Sequence, residues 1–201
     1  MSDHQESIEW ETLCDTEDQQ KERGRMSSKG QIHIYTGEGK GKTTAALGLS
    51  MRAAGRDRKV LFVQFLKGQD TGEQYLMNKI PQITHVKLAN ARTFFHALTD
   101  EEQRSLIEET EKEWESLYEQ ILNGGFDLVV LDEIMAAMYL GIIPESKVMK
   151  LLQEKPFQME LVLTGRNAPD LISKEADLIT EMRKIRHYYD QGILSREGTE
   201  Y

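Results

Sequence analysis

Cysteine is all but missing from the 201 residues: Cys14 stands alone. That excludes an intramolecular disulfide framework and any zinc or iron–sulfur site built on cysteine. Positive charge is also scarce. Lys and Arg number 25 against 34 Asp and Glu, a formal net charge of −9. A general nucleic-acid binder needs a basic footprint for phosphates, and an anionic membrane surface repels such a chain. Long apolar runs are absent as well. Leu128-Val129-Val130-Leu131 is characteristic, far below the roughly 20 residues that cross a bilayer. The opening Met1-Ser2-Asp3-His4-Gln5-Glu6 has neither the basic and apolar regions of a secretory signal nor the Arg-rich character of a transit peptide. The expectation is a reduced, cytoplasmic protein with neither a membrane nor a nucleic-acid partner.

What the chain does have is apolar residues enough for a core, 39% of the total, in a length that suits one large domain. Residues 1–29 stand apart. Eight acidic and four basic side chains with few large apolar ones read as a flexible extension, in which Ile8, Trp10 and Leu13 are the candidate anchors for a ligand or second subunit. From Gly30 to Tyr201 short β-type runs alternate with helical stretches. Strands are expected at 31–35, 59–65, 84–88, 126–131, 160–163 and near 177–182, and helices at 42–54, 72–79, after Thr99, beyond Pro144 and after Pro169. The helix after Thr99 carries the clearest start signal. Thr99-Asp100-Glu101-Glu102 has capping-box spacing, Ile107, Trp114, Leu117, Tyr118 and Ile121 share one face, and Gly124-Gly125 ends it. Alternating strands and helices with near-continuous apolar strands predict an α/β fold of three layers around a mostly parallel central sheet. In such a sheet, ligands bind at the carboxyl ends of the strands.

Chemistry-bearing residues follow those strand ends. Thr36-Gly37-Glu38-Gly39-Lys40-Gly41-Lys42-Thr43-Thr44 lies between a strand and a helix. Its glycines let successive N–H groups face one concavity, and the helix start adds positive potential. Lys42 is placed for phosphate oxygens and the Thr43 hydroxyl for magnesium. The loop departs from the generic G-x-x-x-x-G-K-[ST] pattern, since position 36 is Thr36 and the count from Gly37 is one residue short. About 90 residues on, an apolar strand delivers Asp132 and Glu133, the expected metal-side carboxylates. Arg166 follows another strand, with a planar fork suited to phosphate, and Arg52 on the first helix is a lesser candidate. His33 and His85 read as packed strand residues, His96 as a surface group, and Met135, Met138 and Met149 as adaptable core.

In this order the segments Thr36–Ala46, Val63-Gln64-Phe65-Leu66-Lys67-Gly68, Val129–Glu133, Thr164-Gly165-Arg166 and Arg186–Gly192 with Gly198-Thr199-Glu200-Tyr201 resemble the ATP:corrinoid adenosyltransferases of the CobA/CobO/BtuR type, over residues 29–201. The resemblance implies a RecA-like P-loop domain that acts as a homodimer. It implies transfer of the 5′-deoxyadenosyl group of ATP to the Co(I) of a reduced corrinoid or cobalamin, with triphosphate released and ATP held in a reversed sense. It implies a cradle from Gly37 through Glu38, Gly39, Lys40, Gly41, Lys42 and Thr43 to Thr44, with Lys42 and Lys40 on phosphate oxygens. Lys42 and Glu133 are then the catalytic pair. Thr43, Asp132 and Glu133 are the set for Mg2+ or Mn2+, and Arg166 and Arg52 are further phosphate contacts. An electron-donating flavoprotein is an implied partner. The aromatic segment that lies near the corrin in the family corresponds here to 89–96, so Phe94 and Phe95 are either corrin neighbours or core. By the residues alone, two other readings stand beside the transferase: a P-loop ATPase or small-molecule kinase, and a non-catalytic nucleotide-dependent corrinoid-binding module.

Overall fold

The structure, a computed structural model, describes residues 29–68, 70–90 and 95–201. The extension read over residues 1–29 lies outside the described residues except for Lys29, and so does Phe94. Six strands form the sheet: β1 (Ile32–Thr36), β2 (Val60–Phe65), β3 (Ile83–Leu88), β4 (Leu128–Asp132), β5 (Glu160–Thr164) and β6 (Leu178–Glu181). Their order is β3-β2-β4-β5-β1-β6, and every pairing is parallel. The sheet is thus wholly parallel where the sequence predicts mostly parallel. Parallel strands need crossover helices, which cover both faces. That is why all six residues of β2 and all five of β4 are buried.

The helices are α1 (Lys42–Ala54), α2 (Gly72–Met77), α3 (Asp100–Asn123), α4 (Ile134–Tyr139), α5 (Glu145–Glu154) and α6 (Asp170–Lys174). Period-2 alternation along the strands divides the core in two. Val60, Phe62, Val130 and Val162 face Ala46 and Ala54 of α1, with Met77 of α2. Leu61, Val63, Phe65, Val129, Leu131 and Leu163 face Trp114, Leu117 and Ile121 of α3, and residues of α4, α5 and α6. Each fully buried Val, Leu, Ile or Phe is worth about 1.5–3 kcal/mol, so these two layers set the helices against the sheet. The α3 cap forms as its spacing predicts: the Glu102 amide donates to Thr99 Oγ1 at 3.3 Å and the Thr99 amide to Glu102 Oε2 at 2.8 Å.

α4 differs from expectation. The sequence reading has the chain pass from the fourth strand toward Pro144 without a helix, yet Ile134–Tyr139 is helical directly after β4. Its six residues, all apolar but for the Tyr139 hydroxyl, carry no cap and no Gly or Pro. Nothing in their pattern separates them from the strand before. β4 also starts later than read, at Leu128, and takes in Asp132.

The strands end in a common way. Gly37, Leu66, Ala89, Glu133 and Gly165, each the first residue past its strand, have φ of 99°, 60°, 53°, 63° and 139°. Such positive φ costs a non-glycine residue of order 1–3 kcal/mol. It turns the chain sharply at the carboxyl edge, and Glu133 among these residues lines a cleft there.

Candidate active site

The phosphate loop is braced by Met182, the residue that follows β6. The Gly39 amide donates to the Met182 carbonyl at 2.6 Å, and the Met182 amide to that of Thr36 at 2.8 Å. A Cβ on Gly37 or Gly39 would come within 2.6 Å of the Met182 carbonyl oxygen, so the glycines here serve close approach as well as turning. Gly41 (φ 123°) caps α1 without any side-chain hydrogen bond to the helix start. The amides of the first turn are therefore left for an anion.

Lys42 folds back into this loop, its ammonium donating to the carbonyls of Gly37 at 2.7 Å and Gly39 at 3.0 Å. Burial pulls the ammonium below its ordinary value, while Glu133 works against that shift. The Thr43 hydroxyl donates to Asp132, 2.9 Å from Oδ1 and 3.2 Å from Oδ2. Asp132 is fully buried and also accepts from the Thr164 hydroxyl at 2.7 Å. Glu133, left-handed and accepting no cap role for its side chain, holds its place through its amide, which donates to Thr164 Oγ1 at 2.9 Å. Burial and the adjacent Asp132 push its carboxyl up, with Lys67, Lys42 and Arg166 pulling the other way.

These groups meet in one cleft of about 600 Å³. The structure brings Glu38, Gly39, Lys40, Gly41, Lys42, Thr43, Thr44, Glu133 and Arg166 together in its lining, without Gly37. Arg166 is paired with Glu38 at 3.0 Å, both well exposed, an ion pair worth at most about 1 kcal/mol that a phosphate can displace. Lys40 is engaged elsewhere. Its ammonium reaches Glu200 Oε1 at 2.7 Å, the Thr199 carbonyl at 2.9 Å and Tyr188 Oη at 3.1 Å, so the C-terminal segment closes one side of the cleft.

Other expected positions fall differently. Asp132 is not at the cleft surface and reaches it through Thr43. Arg52 lies in the last turn of α1, exposed and outside the cleft lining, because nine residues of helix rise carry it roughly 13 Å from Thr43. It acts on the Tyr35 hydroxyl, which burial pushes up and Arg52 pulls down. Phe95 sits in a short 3-10 turn, half-buried against the core, while His96 is exposed. His33 and His85 are packed strand residues with partners, Tyr35 and Gln64. Met135 is buried and Met138 and Met149 pack on the same core.

The sequence reading assigned no role to Thr164, Lys67, Glu73 or Gln64, all in or beside the cleft. One signal was available. Gln64 is the sole polar residue of the run Val60-Leu61-Phe62-Val63-Gln64-Phe65, and a buried amide persists only when its hydrogen bonds are met.

The donors at the cleft suit a hard cation: the Thr43 hydroxyl and the Glu133 carboxylate, with Asp132 behind Thr43 and no group of three or more His, Cys, Asp or Glu among the described residues able to cage a metal alone. Magnesium takes this form, using one or two carboxylates together with substrate phosphates and water. A parallel α/β sheet with an anion-ready loop at its carboxyl edge and a metal-side carboxylate beside it defines a P-loop nucleotide-binding protein. The chain belongs to the ATP:corrinoid adenosyltransferase family: the family model described as ATP:corrinoid adenosyltransferase BtuR/CobO/CobP matches residues 28–201. Among curated relatives, the corrinoid adenosyltransferase of a Sinorhizobium species is 36% identical over 182 residues, covering 88% of this chain and 83% of that one. The corrinoid adenosyltransferase of Escherichia coli K12 is 31% identical over 177 residues, covering 88% of each. Among solved structures, the cytoplasmic domain of EssC aligns over 83% of this chain with 14% identity and a TM-score of 0.45, and this chain spans 34% of that one. Among the described residues no helix is long and apolar enough to cross a membrane.

Proposed function

We propose that this protein transfers the 5′-deoxyadenosyl group of ATP to the Co(I) centre of a reduced corrinoid. The observation that carries this is the convergence of Lys42, Thr43, Glu133 and Arg166 on one cleft, in a chain that matches the family from residue 28 to its last residue. The electron pair of Co(I) attacks the ribose C5′, the C5′–O5′ bond breaks, and both its electrons leave with the triphosphate. The nucleophile belongs to the corrinoid, so the protein's work is alignment and charge stabilisation. Lys42 leaves the Gly37 and Gly39 carbonyls for the triphosphate. The free amides at the start of α1 receive the same anion. Arg166 exchanges Glu38 for phosphate oxygens. Thr43 and Glu133 would hold the magnesium ion, with Asp132 fixing the Thr43 hydroxyl from behind. When bound, the ion neutralises charge on the departing triphosphate.

Further expectations belong to the same reading. The enzyme works in the cytoplasm, where ATP is available, as a homodimer supplied with Co(I) by an electron-donating flavoprotein. The edge strand β6, whose four residues are all exposed, offers surface for a second copy.

The test is an anaerobic reaction of the protein with ATP, Mg2+ and chemically reduced corrinoid, followed by absorbance and by phosphate analysis. A light-sensitive cobalt–carbon spectrum with stoichiometric intact triphosphate is expected. ADP and no alkylated corrinoid would overturn the reading in favour of phosphoryl transfer.

A further inference from the structure

On the α1 face of the sheet, apolar residues give way at the carboxyl edge to one polar row. Gln64 follows Phe62 on β2, Asp132 follows Val130 on β4, and Thr164 follows Val162 on β5. Gln64 and Asp132 are register partners across β2 and β4. All three side chains are fully buried. His85, on the neighbouring β3, stands level with Phe62 and reaches Gln64 from one pleat back.

The hydrogen bonds within the row run in one sense. The Gln64 amide nitrogen lies 3.1 Å from Glu73 Oε1 and 3.4 Å from Asp132 Oδ2, so its two N–H bonds serve two carboxylates. Its carbonyl oxygen lies 2.9 Å from His85 Nε2. Turned over, the amide would set an oxygen lone pair against both carboxylates and leave the imidazole facing an N–H group, so His85 carries its proton on Nε2 and the carboxylates accept. Asp132 in turn holds the Thr43 hydroxyl, and Glu73 lines the cleft.

We propose that Gln64, locked in one orientation by His85, is the positioning residue of this site. It ties Asp132, behind the metal-side hydroxyl, to Glu73 in the cleft lining, and so presets both carboxylates before nucleotide and metal enter. The inference rests on the nucleotide site proposed above but not on which bond of ATP breaks.

The experiment measures Mn2+ affinity of the full chain in the presence of ATP by electron paramagnetic resonance, and ATP affinity in EDTA by calorimetry. For Gln64→Leu, the expected result is at least a tenfold loss of Mn2+ affinity with metal-free ATP affinity within twofold of wild type. His85→Leu should lose threefold or more in the same measurement, and His85→Gln, which retains an N–H donor, should regain most of it. His85 is only half-buried, so its variants carry the test if Gln64→Leu does not fold. Folded Gln64→Leu and His85→Leu proteins that bind Mn2+ like wild type would overturn the proposal. So would an equal loss of ATP affinity with and without metal, which marks general distortion. The metal titration reads alike whether the wild type yields triphosphate or ADP, so failure here and failure of the transferase reading are told apart.

Discussion

Lys42 shows how one side chain serves two states. Without an anion its ammonium is satisfied by two loop carbonyls, so it stays ordered in a buried position where a bare charge would be costly. Oxygens of a triphosphate are stronger partners than carbonyls because both members then carry charge. The cost of removing the ammonium falls on the departing triphosphate more than on the fold. Lys42→Ala is expected to slow adenosyl transfer by about 10²- to 10³-fold, the usual loss for one preorganised charge-stabilising group. Circular dichroism should be unchanged, and single-turnover kinetics on the reduced corrinoid provide the check. At this scale the phosphate loop was legible in the sequence, since glycine φ preferences and a lysine beside a threonine act locally. The engagement of Lys40 was not. Its partner Glu200 lies 160 residues further along the chain, and no local preference encodes such a contact.

The elements owe their positions to caps and to interhelical contacts. Thr99→Ala removes the hydroxyl that accepts from the Glu102 amide in the α3 capping box and leaves the Thr99 amide donating to Glu102. The expected loss is about 1 kcal/mol of unfolding free energy in urea, with the ATP affinity unaltered because Thr99 is not among the residues that line the cleft. α3 is also tied to α5 by Tyr118, whose hydroxyl donates to Glu154. Burial, followed by that hydrogen bond, pushes the phenol up to about 12 from 10. A raised folded-state value means that the protonated form is favoured by folding. The contribution is therefore complete below pH 10 and fades as pH climbs from 10 toward 12. Urea melts across that window should show a falling limb that Tyr118→Phe flattens. α3 and its cap were readable because the amphipathic period repeats over many residues and the Thr-x-x-Glu spacing is a local start signal. α4 was not, because six residues, too few for a period to declare itself, continue the apolar run of β4.

For the molecule as a whole, the anion-ready loop implies linkage between nucleotide and stability. ATP with Mg2+ at a hundredfold excess over its Kd should raise unfolding free energy by about 2.7 kcal/mol. The gain should appear as a higher Tm in differential scanning fluorimetry and largely vanish in Lys42→Ala. Sequence alone determined the alternation of strands and helices, the cradle from Gly37 to Thr44 and the carboxylates at the end of β4. Each is encoded by neighbours in the chain: glycine's conformational range, the two hydrophobic periods, and polar residues placed just past apolar strands. Tertiary structure alone decided that β1 lies between β5 and β6, that Asp132 sits behind Thr43 while Glu133 faces the cleft, and that Arg52 stays outside it. Strand order and side-chain partners are set by how two apolar faces pack together, a choice made between residues far apart in sequence, where local preference is silent.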